Sequence, residues 1–251
     1  MTAAEKGLRR LPTGIAGLDE AIGGIPQGRA MLVTGDAGAG KTVLALQFAR
    51  ASAAAGIKSV YLSTEEDADD LRGQAASFGW DLGPLEEKGT LRFLEYSESR
   101  AQETAASVGM GMEDRKARMT ELVEHLPKDT KVLVLDSLST HTANLDPQEF
   151  RDQFDLMLIK LRTRDITVLI IFDSATSRRF NEAALYHAYG AIWLQRRENP
   201  FTGQRERVMD IVKIRGTRTP IQLLPYEITP AGLGLTVVAA GAPAAARTGP
   251  A

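Results

Sequence analysis

Residues 35–42 read GDAGAGKT, with the apolar run AMLVTG leading into them and the helical pattern TVLALQFARA leading away. Glycine at the first and sixth positions followed by Lys and Thr is a phosphate-cradling loop pattern, and here it has the strand before it and the helix after it that give the pattern mechanical meaning. Backbone N–H groups of such a loop, and of the helix start behind it, point at one anion, and glycines let the chain approach it closely. The loop residues expected to hold the phosphates of a nucleotide are Gly35, Asp36, Ala37, Gly38, Ala39, Gly40, Lys41, Thr42 and Val43, with Lys41 as a point charge and Thr42 as a Mg²⁺ ligand.

A loop of this kind needs a parallel sheet, and the rest of the chain supplies the pattern for one. Apolar, β-branched runs at 30–35, 58–64, 91–96, 131–137 and 166–174 alternate with helical stretches near 41–55, 67–78, 114–126 and 147–164. Such alternation predicts parallel strands joined by crossover helices. The runs near 131 and 166 are apolar almost throughout, as strands covered on both faces are. From about residue 190 the connections shorten, and AIWLQRR, RERVMDIVKIRG, LPYEI and LGLTVV predict an antiparallel extension of the same sheet. The expected fold class is α/β with a mostly parallel central sheet flanked by helices. Residues 1–238 are expected to form one domain, and the Ala/Gly/Pro-rich residues 239–251 a disordered tail.

Composition narrows the partners. A formal net charge of −2 provides no overall positive field to recruit nucleic acid or an acidic membrane. With 0 cysteines the chain has no disulfide framework, thiolate metal site or cysteine nucleophile. No run approaches the roughly 20 apolar residues of a membrane span. A cytoplasmic protein is the expectation.

Two acidic strand ends complement the loop. KVLVLDS ends in Asp136, a carboxylate placed to reach a metal's water shell. YLSTEE, on the strand after the loop's helix, ends in Glu65 and Glu66, in the crevice where ligands of parallel sheets bind. Glu65 is the expected general base, with Glu66 supporting the metal shell or modulating the base. Asp67, Asp69 and Asp70 are expected only to favour the dipole of the helix they begin.

Together, LPTGIAGLDEAIGGIPQGRAMLVTGDAGAGKT, YLSTEE, SFGWDL, LDS and KIRGT resemble the KaiC-type ATPases of the RecA superfamily, over roughly residues 8–238. The resemblance implies a RecA-like P-loop fold, ATP and Mg²⁺ as ligands, ATP hydrolysis, and a hexameric ring with nucleotide at the subunit interfaces. It implies that Lys213 and Arg215, with Ile214 between them, reach the γ-phosphate held by the adjacent subunit, that Arg207 and Thr217 make further contacts from that same side, and that Ser77 lies near the nucleotide of the loop-bearing subunit. Alternation along a strand independently predicts that Lys213 and Arg215 project from one side.

The chain also departs from the family. Where the second KaiC module carries its autophosphorylated Ser-Thr pair, this chain has Leu185 and Tyr186, although Ser174, Thr176 and Ser177 are nearby hydroxyls. Thr219 replaces a family histidine. The C-terminal segment does not resemble the KaiC tail, so no clock partner is implied. A nucleotide-driven switch with an unidentified protein partner is therefore the leading expectation. The alternatives are a DNA-binding recombination or repair ATPase, for which residues 97–118 would supply a ring-lining loop, and a Ser/Thr autokinase. The three histidines share no ligand spacing. Trp80 and Trp193 are expected to pack in the core.

Overall fold

The computed structural model describes residues 8–96, 119–142, 145–173, 178–200 and 202–236. A short antiparallel pair, β1 (Arg10–Leu11) and β2 (Ile25–Pro26), brackets helix α1 (Leu18–Ile22). The main sheet begins with β3 (Ala30–Gly35), and helix α2 (Lys41–Ala54) crosses from it to β4 (Ser59–Ser63). Helices α3 (Ala68–Ser77) and α4 (Gly83–Glu87) lead to β5 (Leu91–Glu95). A short α5 (Glu121–Glu124) precedes β6 (Val132–Asp136), and α6 (Pro147–Thr163) precedes β7 (Thr167–Asp173). Helix α7 (Arg178–His187), β8 (Gly190–Glu198), β9 (Arg205–Ile214), β10 (Leu224–Thr229) and β11 (Gly232–Leu235) complete the chain.

The nine strands of the main sheet run in the order β11-β10-β9-β8-β3-β7-β6-β4-β5. All pairings from β8 through β3 to β5 are parallel, and β9, β10 and β11 join antiparallel. The loop strand β3 and the Asp136 strand β6 are therefore not neighbours; β7 lies between them. Every residue of β3 after Ala30 is buried, because apolar side chains leave both faces of the strand. On one side Met31 and Val33 pack with Leu44, Phe48 and Trp80. On the other, Leu32 packs with Phe150, Phe154 and Phe172. Phe172 belongs to β7, and helix α6 presents Phe150 and Phe154 because Asp146 caps its first turn, accepting from Gln148 N and Glu149 N at 2.9 Å each, with Pro147 at the first helical position.

Two expectations need correction. The run AIWLQRR forms β8, which is parallel to β3, so the antiparallel extension starts one strand later, at β9. The cause is α7, a short crossover helix ending in NEAALYH, which the run of strand patterns had obscured. Trp80 is buried, but Trp193 is 40% exposed, since its neighbours Ile192 and Leu194 take the inward face of β8. The tail 239–251, the segment 97–118 and the hydroxyls Ser174, Thr176 and Ser177 lie outside the described residues, as does the first part of the helix expected over 114–126.

Candidate nucleotide site

Gly35 ends β3 where a side chain has no room: a Cβ there would stand 2.1 Å from the Leu194 carbonyl oxygen of β8. The loop then turns, with Asp36 N donating to Leu194 O at 3.2 Å and Ala39 N to Asp36 O at 3.1 Å. Gly40, at φ 98°, caps α2 without any side-chain acceptor. Helices α3 and α6 differ, being capped by the carboxylates of Asp67 and Asp146. At α2 the first N–H groups, those of Lys41, Thr42 and Val43, are left for an external anion. Two neighbours brace the loop: Arg196 donates from N to Asp36 Oδ2 at 2.9 Å and from Nη1 to Ala37 O at 3.3 Å, and Tyr226 donates to Ala39 O at 2.6 Å. Burial pushes the Tyr226 phenol up to about 12, so it remains a donor across ordinary pH.

The Lys41 ammonium donates to the carbonyls of Gly35 (2.9 Å) and Asp36 (3.1 Å) and lies 3.8 Å from the Asp173 carboxylate. Asp173 ends β7, the strand between the loop strand and the Asp136 strand.

Asp136 ends β6 and is mostly buried. Its carboxylate accepts from the Tyr61 hydroxyl (Oδ2, 2.6 Å) and from the Thr42 side chain. Burial raises its pKa first of all, the two hydroxyls oppose that, and the charges of Glu65 and Glu66 add to it. Tyr61, wholly buried beside this carboxylate, is pushed well above its ordinary value by burial and by Asp136. The Thr42 hydroxyl and the Asp136 carboxylate, joined by a hydrogen bond, are a hard-oxygen donor pair of the kind Mg²⁺ takes. A cation beside Asp136 relieves the cost of burying its charge. The residues present therefore fit the metal.

Glu65 and Glu66 follow β4, and each is held differently. Ser137 Oγ, one residue past Asp136, donates to Glu65 Oε1 at 2.5 Å. A second tie fixes the two strand ends to each other: Thr64 N donates to Asp136 O at 2.8 Å and Thr64 Oγ1 to Ser137 O at 2.7 Å, with the Asp136–Ser137 peptide in cis. Glu65 is exposed, with one oxygen tied and Oε2 free of that tie. The Glu66 carboxylate is held by the side-chain amide of Gln74 on α3.

The loop, Thr42, Asp136, Glu65 and Glu66 therefore converge at one end of the sheet, and the remaining predicted residues divide. Lys213 Nζ and Arg215 Nη2 both donate to the Tyr186 carbonyl, at 3.1 and 3.0 Å, with Ile214 buried between them. They do project to one side, but at the end of the sheet remote from their own loop, since Lys213 pairs with Ala191 and Ala191 with Leu32. Burial, then repulsion from Arg215, lowers the Lys213 ammonium. Thr217, whose hydroxyl accepts from Arg10, stays with this end. Arg207 does not. It pairs with Arg196 at the loop end of β9, near Tyr226, so the span of the strand separates it from Lys213. Ser77 is exposed and donates to Gln74 O at 2.6 Å.

Sequence reasoning missed Tyr61, Gln74, Ser137, Asp173, Arg196 and Tyr226. Asp173 had a signal: ITVLIIFDS has the same form as KVLVLDS, an apolar strand ending in Asp-Ser. The others act through contacts between strands distant in sequence.

Comparison with known proteins accords with this geometry. A family model described as "ATPase: KaiC" matches residues 11–240. The UPF0273 protein PH0284 of Pyrococcus horikoshii is 27% identical over 237 residues, covering 90% of this chain and 93% of that protein. The circadian clock oscillator protein KaiC of Picosynechococcus sp. is 31% identical over 250 residues, covering 92% of this chain and 45% of the longer protein. Among solved structures, the KaiC-like protein PH0186 of Pyrococcus horikoshii superposes with a TM-score of 0.71 at 28% identity, covering 92% of this chain and 100% of that one. The chain belongs to the KaiC-type ATPases of the RecA superfamily.

Proposed function

We propose that this protein hydrolyses ATP with Mg²⁺ in a hexameric ring whose sites are completed by Lys213 and Arg215 of the neighbouring subunit. Residues 1–238 act as one ATPase domain in this reading. The observation that carries it is the position of those two cations, out of reach of their own subunit's loop while converging on a single point. Two cations so placed can meet the phosphate of a nucleotide brought by another subunit.

Within one site, Lys41 and the N–H groups of residues 38–43 hold the β- and γ-phosphates. Thr42 and Asp136 hold Mg²⁺, with Glu66 beside them, and the metal when bound neutralises phosphate charge. Glu65, fixed through Oε1 by Ser137, orients the attacking water and takes its proton at Oε2 as the oxygen bonds to the γ-phosphorus and the bond to the ADP leaving group breaks. Lys213, Arg215, Ile214 and Thr217 close the site from the next subunit, and the two cations stabilise charge on the transferring group. Arg207 and Ser77 contact the nucleotide of their own subunit. Turnover drives a conformational switch read by a protein partner in the cytoplasm.

Specific activity tests this reading. Because each site draws on two subunits, turnover per subunit is expected to fall on dilution below the assembly concentration, and turnover unchanged in a demonstrated monomer contradicts it.

A further inference from the structure

At the end of the sheet remote from the loop, a cavity of about 210 Å³ opens between α6, the start of β3 and the residues joining α7 to β8. Three guanidinium groups line it, each from a different part of the chain: Arg29 just before β3, Arg162 in the last turn of α6, and Arg215 just after β9. Among the described residues Asp155 is the one carboxylate on the lining, and it is already paired with His187 Nδ1. The lining therefore carries an excess of positive charge. Arg29 adds an independent sign of an absent partner: its guanidinium carbon lies 5.1 Å from the centre of the Tyr189 ring, and its Nε is buried without a hydrogen-bond acceptor. A buried donor left unpaired is costly, and a guanidinium ordinarily meets a planar oxyanion in a forked hydrogen bond. The rest of the wall is the Tyr189 ring and aliphatic side chains of α6 and of the start of β7.

We propose that this cavity binds a small organic oxyanion, a carboxylate or phosphate monoester carried on an apolar body. The arginines take the anionic group, and the ring and aliphatic wall take the body. Mixed lining of this sort, mostly apolar with a few convergent charges, is what small-molecule sites share.

The test is calorimetric titration of the full chain, without nucleotide, using phenyl phosphate, benzoate and inorganic phosphate as separate probes. Saturable binding of phenyl phosphate or benzoate is expected, with the stronger of the two identifying the anionic group and inorganic phosphate weaker than phenyl phosphate by roughly tenfold for want of apolar surface. Arg162→Glu, at an exposed helix end where folding is not at stake, is expected to weaken binding by roughly tenfold or more, as is Arg29→Gln. Lys41→Ala, which alters the nucleotide loop, is expected to leave it unchanged, which separates binding here from binding at the loop, and neither Arg162 nor Arg29 belongs to the proposed ATPase site. No saturable binding of either organic anion up to about 10 mM overturns the proposal. Binding that survives Arg162→Glu, or that disappears in Lys41→Ala, overturns it equally.

Discussion

Lys213 and Gly35 lie on the same sheet with only β8 between their strands, yet they are separated along it: Lys213 is level with Leu32, three positions short of Gly35. At a strand rise of about 3.3 Å per residue the offset is roughly 10 Å. The Lys213 side chain is turned further away, to the Tyr186 carbonyl at the end of α7. A phosphate above Gly35 is thus beyond the reach of its own subunit's Lys213, and Arg215, two residues further down, shares that limit.

The first prediction concerns the base. Glu65→Gln keeps an acceptor for the Ser137 hydroxyl but cannot take a proton. The catalytic rate constant is expected to fall by about 10²- to 10⁴-fold with ATP affinity nearly unchanged, measured by single-turnover kinetics and equilibrium binding. A loss of affinity that matches the loss of rate would assign Glu65 to binding.

Asp136 is expected to trade stability for function. A carboxyl group whose folded-state pKa is raised costs stability at every pH above that value, and the cost is relieved as pH falls from there toward the unfolded value. Asp136→Asn removes the buried charge while keeping an acceptor for Tyr61. In nucleotide-free protein at neutral pH its midpoint of thermal unfolding is expected to rise by a few degrees, about 1 kcal/mol, while Mg²⁺-dependent turnover is lost. A lower midpoint in Asp136→Asn would show that the charge stabilises the fold.

A pH profile reports on Lys213. Its ammonium is lowered by burial and by Arg215, so the charge is present below the folded-state pKa and is lost, as pH rises, earlier than from an ordinary lysine. Lys213→Arg holds its charge throughout and is expected to extend the alkaline limb of the turnover profile to higher pH. Superimposable alkaline limbs would remove Lys213 from the rate-determining site.

Gly35 tests the loop's packing. In Gly35→Ala the new Cβ meets the Leu194 carbonyl, a backbone atom that cannot swing aside, at a backbone φ of 153°. Destabilisation of about 3 kcal/mol or more is expected, read as a fall of roughly 6 °C or more in the unfolding midpoint.

Much of this was legible in the sequence because the parallel strands are apolar on both faces and their ends are marked by Gly, Asp or Glu. The loop, Asp136 and the two glutamates each sit at such an end, so strand boundaries alone brought them together. Helix α7 was not legible, and with it the direction of β8, because the helix is only 10 residues long and two of its apolar residues are small alanines, which leave a weak periodic signal. Lys213 and Arg215 were legible as a pair, since alternation fixes their common side. Arg207 was grouped with them by the family resemblance, which does not say that β9 spans the sheet from one end to the other. The ties of Ser137 to Glu65, Gln74 to Glu66 and Tyr226 to Ala39 depend on which strands and helices become neighbours, which no local pattern encodes.

Mixing two inactive variants tests the account at its centre. Lys41→Ala cannot hold phosphate but keeps the basic pair; the double variant Lys213→Ala, Arg215→Ala keeps the loop but lacks the pair. If each site takes its loop from one subunit and its cations from the next, equal mixing under assembling conditions is expected to restore turnover to about a quarter of the wild-type value, since a site then needs the two variants side by side in one order. A mixture as inactive as its two parents, with assembly shown by light scattering, would contradict it.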